Sequence, residues 1–371
     1  MRYIKNLLKN IDKPLYLLPL VFAIISVTMM FSTSYDDGIV LSKTVIIQTV
    51  AYILGFIAVF VLSHMNYSVF EDFTKPLYIF SIIFLLTPYV PGLGVEQYGA
   101  RSWINLGVTT FQPSEIVKIT FIFIMADYFK RHRDSIRHFK EFFQSVIYAA
   151  PIILIVLKED FGSAAVFVAI FIAMLLLSGV DMKLFGKICL IVVVLIPFMF
   201  KFLDEYQKQR ITAFLYPDDL TISANYQVWQ SKVAIGSGGF FGKGLFNGTQ
   251  KDLEFLPVRN SDFIFAVICE ELGLIGGAIL IVLLVWFLYT LLKYVFSVKD
   301  FYGSLVIVGF VGMFASQIFE NIAMCMGLMP VTGITLPFIS YGGSSILANM
   351  LAVGIIMNIA ISNRGVAFLD Q

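Results

Sequence analysis

Charged residues are scarce in this sequence. Lys, Arg, Asp and Glu make up 14% of the 371 residues and leave a formal net charge of only +1. A chain with so little charge of either sign has no global field that would attract nucleic acid. We therefore expect no nucleic-acid partner, and the few charges that are present act through their positions.

Cysteines and nucleotide-binding fingerprints are also lacking. The three cysteines, Cys189, Cys269 and Cys325, all lie in apolar runs, and their spacing fits neither a disulfide framework nor a metal site. The glycine-rich stretch 236–244 has neither a preceding strand nor the glycine spacing of a Walker or Rossmann motif. The first apolar run has no clear cleavage site, so we expect no removable signal peptide.

Apolar residues dominate the composition instead. They make up 58% of the chain, 37 of them are Phe, and the mean hydropathy is +0.86. These values exceed what the core of a soluble protein requires, so the sequence predicts an all-α, polytopic membrane protein.

Apolar runs that can cross a bilayer predict ten transmembrane helices, at about 14–34, 44–63, 76–90, 112–129, 145–157, 162–178, 184–202, 262–292, 302–326 and 342–362. The fifth run is short and contains Pro151, so we expect a tilted or broken helix there.

The distribution of Lys and Arg predicts the orientation. The segments on the side of the two termini carry 15 of these residues, and the opposite side carries 10, seven of them between Lys201 and the end of one long loop. By the positive-inside rule both termini are cytoplasmic. The large loop 203–261, between the seventh and eighth helices, is then extracellular.

The long loop ends at Asp262, which is the first candidate for chemistry. Asn260, Ser261 and Asp262 are all residue types that cap helix N-termini, so one of them could serve only as a cap. A carboxylate at the boundary of water and lipid can also be partly desolvated, which makes it a better general base.

Within the loop, the pattern at 226–235 predicts a short amphipathic helix on the outer leaflet. The glycines that follow either bring backbone amides near an anion or form a flexible connector.

Other polar residues lie beside or inside the predicted spans. Arg101, next to Trp103, fits a phosphate or headgroup, or a snorkelling cation in an aromatic belt. Glu115 and Lys118 share a helix face and can form either a functional or a structural ion pair. Asp160 precedes a helix, where it can cap the helix or bind a cation.

Two further polar groups fall in the last three spans. Glu270 and Glu271 differ by about 100° around their helix, so they cannot both point toward Asp262, and at least one is expected to anchor neighbouring helices. Gln317, Glu320 and Asn321 form a polar face that indicates either interhelical contact or a cavity wall. The segment 330–345 is rich in Gly and Pro, which is typical of a re-entrant cap over a site.

Together these motifs resemble the SEDS family (shape, elongation, division and sporulation), ten-span bacterial peptidoglycan glycosyltransferases. The resemblance runs from the first span to the last and rests on Gly99–Ile104, Gln112–Lys118, Glu159–Ala164, Tyr226–Gly244, Phe255–Gly273 and Pro330–Ser345. The stretches 230–239 and 248–250 look more like RodA, the elongation branch, than FtsW, the division branch.

The resemblance implies that the protein polymerises lipid II on the outer face of the bacterial inner membrane. The glycan moves, with inversion, from undecaprenyl pyrophosphate to the 4-hydroxyl of an acceptor lipid II, and Asp262 serves as the general base.

The resemblance also implies site residues and partners. Residues implied in substrate or pyrophosphate binding are Arg101, Glu115, Lys118, Asp160, Arg210, Lys232 and Ser340. Glu270, Glu271, Gln317, Glu320 and Asn321 are structural polar residues. The implied partners are a class B penicillin-binding protein and the elongation machinery. A divalent cation (Mg or Mn) is compatible with this chemistry, although no ligand spacing indicates a site.

The sequence also departs from the family pattern. Val258 and Asn260 replace an acid and a His before the catalytic Asp, and Glu159 stands where proline is usual. Two alternative functions stay open at this point. The first is a lipid II flippase, which broken, charged spans also suit, although internal inverted repeats are not apparent. The second is a scaffold that only binds the penicillin-binding protein and catalyses no reaction.

Overall fold

The computed structural model describes residues 13–34, 42–97, 100–105, 107, 109–187, 205–219, 221–253 and 255–369. Most of these residues are helical. The helices are α1 Lys13–Thr33, α2 Lys43–Leu62, α3 Val69–Asp72, α4 Thr74–Leu86, α5 Pro113–Arg131, α6 Phe139–Glu159, α7 Phe161–Leu177, α8 Glu205–Leu215, α9 Ser223–Ser237, α10 Thr249–Asp252, α11 Ile264–Ser297, α12 Phe301–Cys325 and α13 Gly343–Leu369. A 3-10 turn, Thr87–Tyr89, follows α4, and residues 182–187 are also helical.

Six helices in the described part of the chain are long and apolar enough to cross a membrane, namely α1, α2, α6, α11, α12 and the first 21 residues of α13. The protein is therefore a polytopic membrane protein, as the sequence predicts. Helices α4, α5 and α7 coincide with three more predicted spans, but they are shorter or more polar. The predicted span at 184–202 lies almost wholly outside the described residues, so the total of ten stays a prediction.

Two spans differ from their predicted form. Helix α6 has 21 residues and continues through Pro151, so of the predicted tilted or broken fifth helix the break is absent, and the tilt stays a prediction. Helix α6 gains length because it already begins at Phe139, in a turn that also contains Phe142 and Phe143. Helix α11 contains a break at Gly273, which has φ 71° and ψ −170°. This break was not predicted from the sequence.

A small antiparallel sheet corrects the prediction of an all-α fold. It has the order β1-β2-β3, with β1 at Gly94–Gln97, β2 at Ala100–Asn105 and β3 at Thr110–Phe111. Val95 pairs with Trp103, and Ile104 pairs with Phe111. In β2, exposed Arg101 and buried Ile104 lie on opposite faces, as expected for the two-residue period of a strand.

The chain divides into two compact units. The first comprises Met1–Asn66, Ala213–Lys293 and Gln317–Gln371. In this unit α13 packs along α2, because Gly55 faces Met350 and Gly354 faces the backbone of Val59. Small residues allow such close helix contact within a membrane.

The second unit comprises Tyr67–Thr212 and Tyr294–Ser316. Its part of α12 packs closely on α5 and α7, with Gly309 against Ile122 and Gly312 against Ala173. At one end of this unit, Lys130 Nζ lies 2.7 Å from a carboxylate oxygen of Glu71. These contacts fix α5, which carries Glu115 and Lys118.

Candidate active site

Asp262 lies in the turn 261–263, directly before α11 begins. Its side chain is partly exposed, and Oδ1 accepts a hydrogen bond from Ser261 Oγ at 3.0 Å. The Asp262 backbone carbonyl accepts a hydrogen bond from Asn321 Nδ2 at 2.8 Å. The main chain at Asp262 is therefore held from inside the protein, and the residue itself is partly exposed.

The segment before α13 holds the same turn. Ser340 Oγ donates to the Ser261 carbonyl at 2.6 Å, and the Tyr341 amide donates to the Asn260 carbonyl at 2.8 Å. Ser340 is almost fully buried, and its Oγ also accepts a hydrogen bond from the Leu336 amide. The hydroxyl that the sequence predicts to bind substrate is thus engaged with the protein on both sides, and it supports the Asp262 turn.

The chain enters this turn through a strained backbone. Val258 has φ 56°, in the left-handed region that β-branched residues rarely adopt. The next residue, Arg259, donates from Nη1 to the Lys251 carbonyl at 2.5 Å and from Nε to the Thr33 carbonyl at 3.2 Å. No role for Arg259 was predicted from the sequence, because nothing in its spacing distinguishes it from the other cations of the loop.

Glu270 and Glu271 are both completely buried in α11. The Oε1 atom of Glu271 accepts from Ser32 Oγ of α1 at 2.5 Å and lies 3.4 Å from Lys251 Nζ. The donors to Glu270 Oε1 are Lys243 Nζ at 2.6 Å, Thr249 Oγ1 at 3.1 Å and the Gln250 amide at 3.0 Å. The two carboxylates therefore join not only helices but also residues 243–251 of the long loop to α11.

The glycine-rich stretch 236–244 packs against the break in α11. The Lys243 amide donates to the Glu270 carbonyl at 3.0 Å, and the Gly244 amide donates to the Glu271 carbonyl at 2.9 Å. A Cβ atom at Gly242 would overlap the Glu271 carbonyl. The break leaves these two helix carbonyls without helical donors, so the amides of Lys243 and Gly244 bind the protein and not the predicted anion. The alternative of a flexible connector stays a prediction.

The predicted loop helix at 226–235 exists as α9, Ser223–Ser237. Its buried face is mostly polar, with Ser231 Oγ donating to the Cys325 carbonyl at 2.8 Å. Trp229 is half exposed and Lys232 is exposed, so the Lys232 ammonium lies at the protein surface.

The polar face of α12 is buried, as expected for structural polar residues. Gln317, Glu320 and Asn321 are each less than 5% exposed. Asn321 Nδ2 bridges the carbonyls of Asp262 and Ile334, each at 2.8 Å. Among the described residues, the Gln317 side-chain amide has no hydrogen-bond partner.

The second unit holds a separate group of the predicted site residues. A pocket there is lined by Leu85, Pro88, Arg101, Ser102, Pro113, Ser114, Ile155, Val156, Glu159 and Asp160. Asp160 caps α7, because its Oδ1 accepts from the Ser163 amide at 3.0 Å. Gln112 Nε2 also donates to Asp160 Oδ2 at 3.2 Å. The cap that the sequence predicts is therefore present, and it lies at a pocket wall.

The cations of the second unit lie in different environments. Lys118 is fully buried and pairs with Glu115 Oε1 at 2.8 Å. The side chain of Arg101 is exposed, while its amide donates to Glu159 Oε2 at 2.8 Å. Arg210 lies on α8 and is partly buried.

In the part of the chain that the structure describes, no group of three or more His, Cys, Asp or Glu could hold a metal ion. The divalent cation therefore stays a prediction.

Comparison with known proteins places these features in a family. A family model described as "Cell cycle protein", named for FtsW, RodA and SpoVE, matches residues 12–365. The chain is 34% identical over 364 residues to stage V sporulation protein E of Bacillus subtilis (strain 168), covering 95% of this chain and 98% of that protein. It is 34% identical over 351 residues to peptidoglycan glycosyltransferase MrdB of Escherichia coli (strain K12), covering 94% and 93%.

A solved structure is similar over a comparable length. It is described as "Structural coordination of polymerization and crosslinking by a peptidoglycan synthase complex", and one of its chains matches this protein with a TM-score of 0.78 at 25% identity. The match covers 95% of this chain and 98% of that one. The similarity therefore extends over nearly the whole of both chains.

Proposed function

Because the chain belongs to the FtsW, RodA and SpoVE family of cell cycle proteins, we propose that it is a peptidoglycan glycosyltransferase of cell wall synthesis. MrdB, similar over nearly its full length, bears that name. The observation that carries the assignment to a site is Asp262, a partly exposed carboxylate on a turn whose main chain is fixed by Asn321 and Ser340.

In the proposed reaction the 4-hydroxyl oxygen of an acceptor lipid II attacks the anomeric carbon of the donor glycan. The bond from that carbon to the pyrophosphate oxygen breaks on the opposite face, so the configuration inverts. Undecaprenyl pyrophosphate leaves with the bonding electrons, and Asp262 accepts the proton of the attacking hydroxyl. A carboxylate held in place, as Asp262 is, suits general-base catalysis.

The pyrophosphate is the more highly charged part of the substrate and needs cations. We assign this role to Arg101, Lys118 and Arg210, which all belong to the second unit. The exposed guanidinium of Arg101 beside the pocket of the second unit supports this assignment, since Arg binds phosphate oxygens with paired donors. Glu115 holds the Lys118 ammonium in place.

Replacement of the general base tests the reaction. We expect purified Asp262→Asn to polymerise labelled lipid II at least about 100-fold more slowly than the parent, because an amide cannot accept the proton. Asp218→Asn, at an exposed carboxylate elsewhere in the loop, is the matched control and should retain the parent rate. Polymerisation by Asp262→Asn at the parent rate would overturn the assignment.

The same assay separates the alternative functions. A flippase would move lipid II across vesicles without lengthening it, and a scaffold would do neither. Glycan chains made by the purified parent therefore distinguish a polymerase from both.

The finer features of the proposal concern topology and partners. We infer ten spans in the inner membrane, both termini in the cytoplasm, and the loop 203–261 outside with the active site. The complex named in the similar solved structure, which joins polymerization to crosslinking, supports a crosslinking class B penicillin-binding protein as partner. The relatives include a sporulation protein and MrdB at the same 34% identity, so assignment to the elongation branch rests on the loop motifs alone.

A further inference from the structure

Helix α11 changes its surroundings at Gly273. Every residue from 264 to 271 is buried in protein, including both glutamates. Beyond Gly273 the helix carries a series of exposed apolar side chains, namely Leu274, Ile275, Ile279, Val282 and Val285. An exposed apolar stripe on a helix of high hydropathy is a surface that faces lipid.

The lipid-facing part of α11 is long enough to cross the membrane without the residues before the break. Residues 274–293 rise about 30 Å, the thickness of the hydrocarbon core. This length allows the boundary of the hydrocarbon on the side of the long loop to lie near the break at Gly273.

The tip of the glycine-rich stretch, residues 239–241, is bonded to α11 directly after the break. The Leu274 amide donates to the Gly239 carbonyl at 2.8 Å, and the Ile275 amide donates to the Phe240 carbonyl at 3.3 Å. Phe240 is 68% exposed and Phe241 is 83% exposed. Both rings are therefore largely exposed, on a backbone that is hydrogen-bonded to the start of the lipid-facing section of α11.

We propose that Phe240 and Phe241 form a lipid contact that fixes the long loop to the membrane surface. The occupant is phospholipid, because the backbone holding the two rings is hydrogen-bonded to the lipid-facing section of α11. Two neighbouring Phe rings offer a large apolar area at a membrane boundary. The hydrogen bonds to α11 hold this backbone in place, so little ordering is required on insertion. This proposal does not depend on the proposed enzymatic function.

The test places a photoreactive side chain at the tip. The full chain carrying Phe241→p-benzoylphenylalanine is reconstituted in vesicles of phosphatidylcholine and phosphatidylglycerol and irradiated, and phospholipid adducts are measured by mass spectrometry. Phe240→p-benzoylphenylalanine serves as a second, independent probe. Val282→p-benzoylphenylalanine reports a lipid-facing position on α11, and Asp218→p-benzoylphenylalanine reports an exposed polar position in the loop.

We expect either probe at the tip to give at least about half the lipid adduct of position 282 and at least about fivefold more than position 218, since benzophenone reacts with neighbouring C–H bonds of the acyl chains that surround it. Adduct at the tip no greater than at position 218 would overturn the proposal. So would a tip probe that reacts mainly with a peptide of a second copy, because that result would make the Phe pair a protein interface.

Discussion

Asn321 and Ser340 donate hydrogen bonds to the main-chain carbonyls of Asp262 and Ser261, and Arg259, three residues before Asp262, donates to the carbonyl of Lys251. Their contribution to catalysis is therefore expected to be positional. Such bonds fix the position of the Asp262 carboxylate and take no direct part in the proposed reaction. At Val258 and Asn260 the resemblance implies an acid and a His, but the support of the main chain is intact there, since the Asn260 carbonyl accepts from the Tyr341 amide.

Removal of one such support gives a residue-scale prediction. Ser340→Ala leaves the Ser261 carbonyl and the Leu336 amide without this buried partner, so we expect the free energy of unfolding to fall by about 1–3 kcal/mol. Thermal unfolding in detergent measures that loss, and the polymerisation rate should fall with it. Ser316→Ala is the control, because the Ser316 hydroxyl donates to the Met313 carbonyl of its own helix. Equal effects of the two variants would contradict the supporting role.

The buried pair of Glu115 and Lys118 allows stability and function to be separated. Lys118→Met leaves a buried carboxylate without its cation and is expected to lower the free energy of unfolding by about 3–5 kcal/mol. The double variant Glu115→Gln/Lys118→Met should recover most of that loss in thermal unfolding while polymerisation stays slow.

An exposed pair provides the comparison. Lys208→Met disrupts the contact of Lys208 with Glu205 and should cost less than about 1 kcal/mol, because water screens exposed ion pairs. If the double variant at positions 115 and 118 polymerised lipid II at the parent rate, Lys118 would have no part in binding pyrophosphate.

At the scale of elements, the break in α11 and the loop that covers it form one packed structure. The break exposes helix carbonyls, the glycine-rich stretch supplies amides to them, and the two buried glutamates accept from the lysines of the loop. Each part satisfies groups that the other leaves unpaired. The long loop is thus an ordered extension of the helix at this point.

A single methyl group should disrupt this packing. In Gly273→Ala the new Cβ overlaps the Phe240 carbonyl, and the backbone has φ 71°, so we expect a loss of more than about 1 kcal/mol. Protease cleavage between residues 236 and 251 should become faster. Gly236→Ala is the matched control, because a Cβ there meets no neighbour and alanine favours helix. Similar cleavage of both variants would show that the break does not hold the loop.

At the scale of the whole molecule, orientation depends on a modest excess of positive charge. Leu253→Cys, in the long loop, should react with a membrane-impermeant maleimide on intact spheroplasts. Arg137→Cys, in a segment predicted to be cytoplasmic, should react only after permeabilisation, because Lys and Arg are retained inside. Both positions are exposed, and the parent chain gives the background from its own cysteines. The opposite labelling pattern would reverse the topology.

Sequence patterns predicted elements whose signal is local. Long apolar runs predicted α1, α2, α7 and α12 within one residue at each end, because a membrane helix satisfies its own backbone hydrogen bonds. The Asp160 cap was also predicted, since capping depends on residues three apart. The sheet at 94–111 was missed because its strands have only two to six residues, and no single strand has a long pattern.

The sequence by itself determined that this chain resides in a membrane, that it carries a carboxylate before a long apolar helix, and that its motifs follow one family in order. Composition and short-range spacing are sufficient for those conclusions. Only the tertiary structure decided that Ser340 and Asn321 hold the Asp262 turn, that Glu270 and Glu271 bind the lysines of the loop, and that Gly273 breaks α11. These features depend on contacts between residues far apart in the chain, and such contacts leave no periodic signal in the sequence.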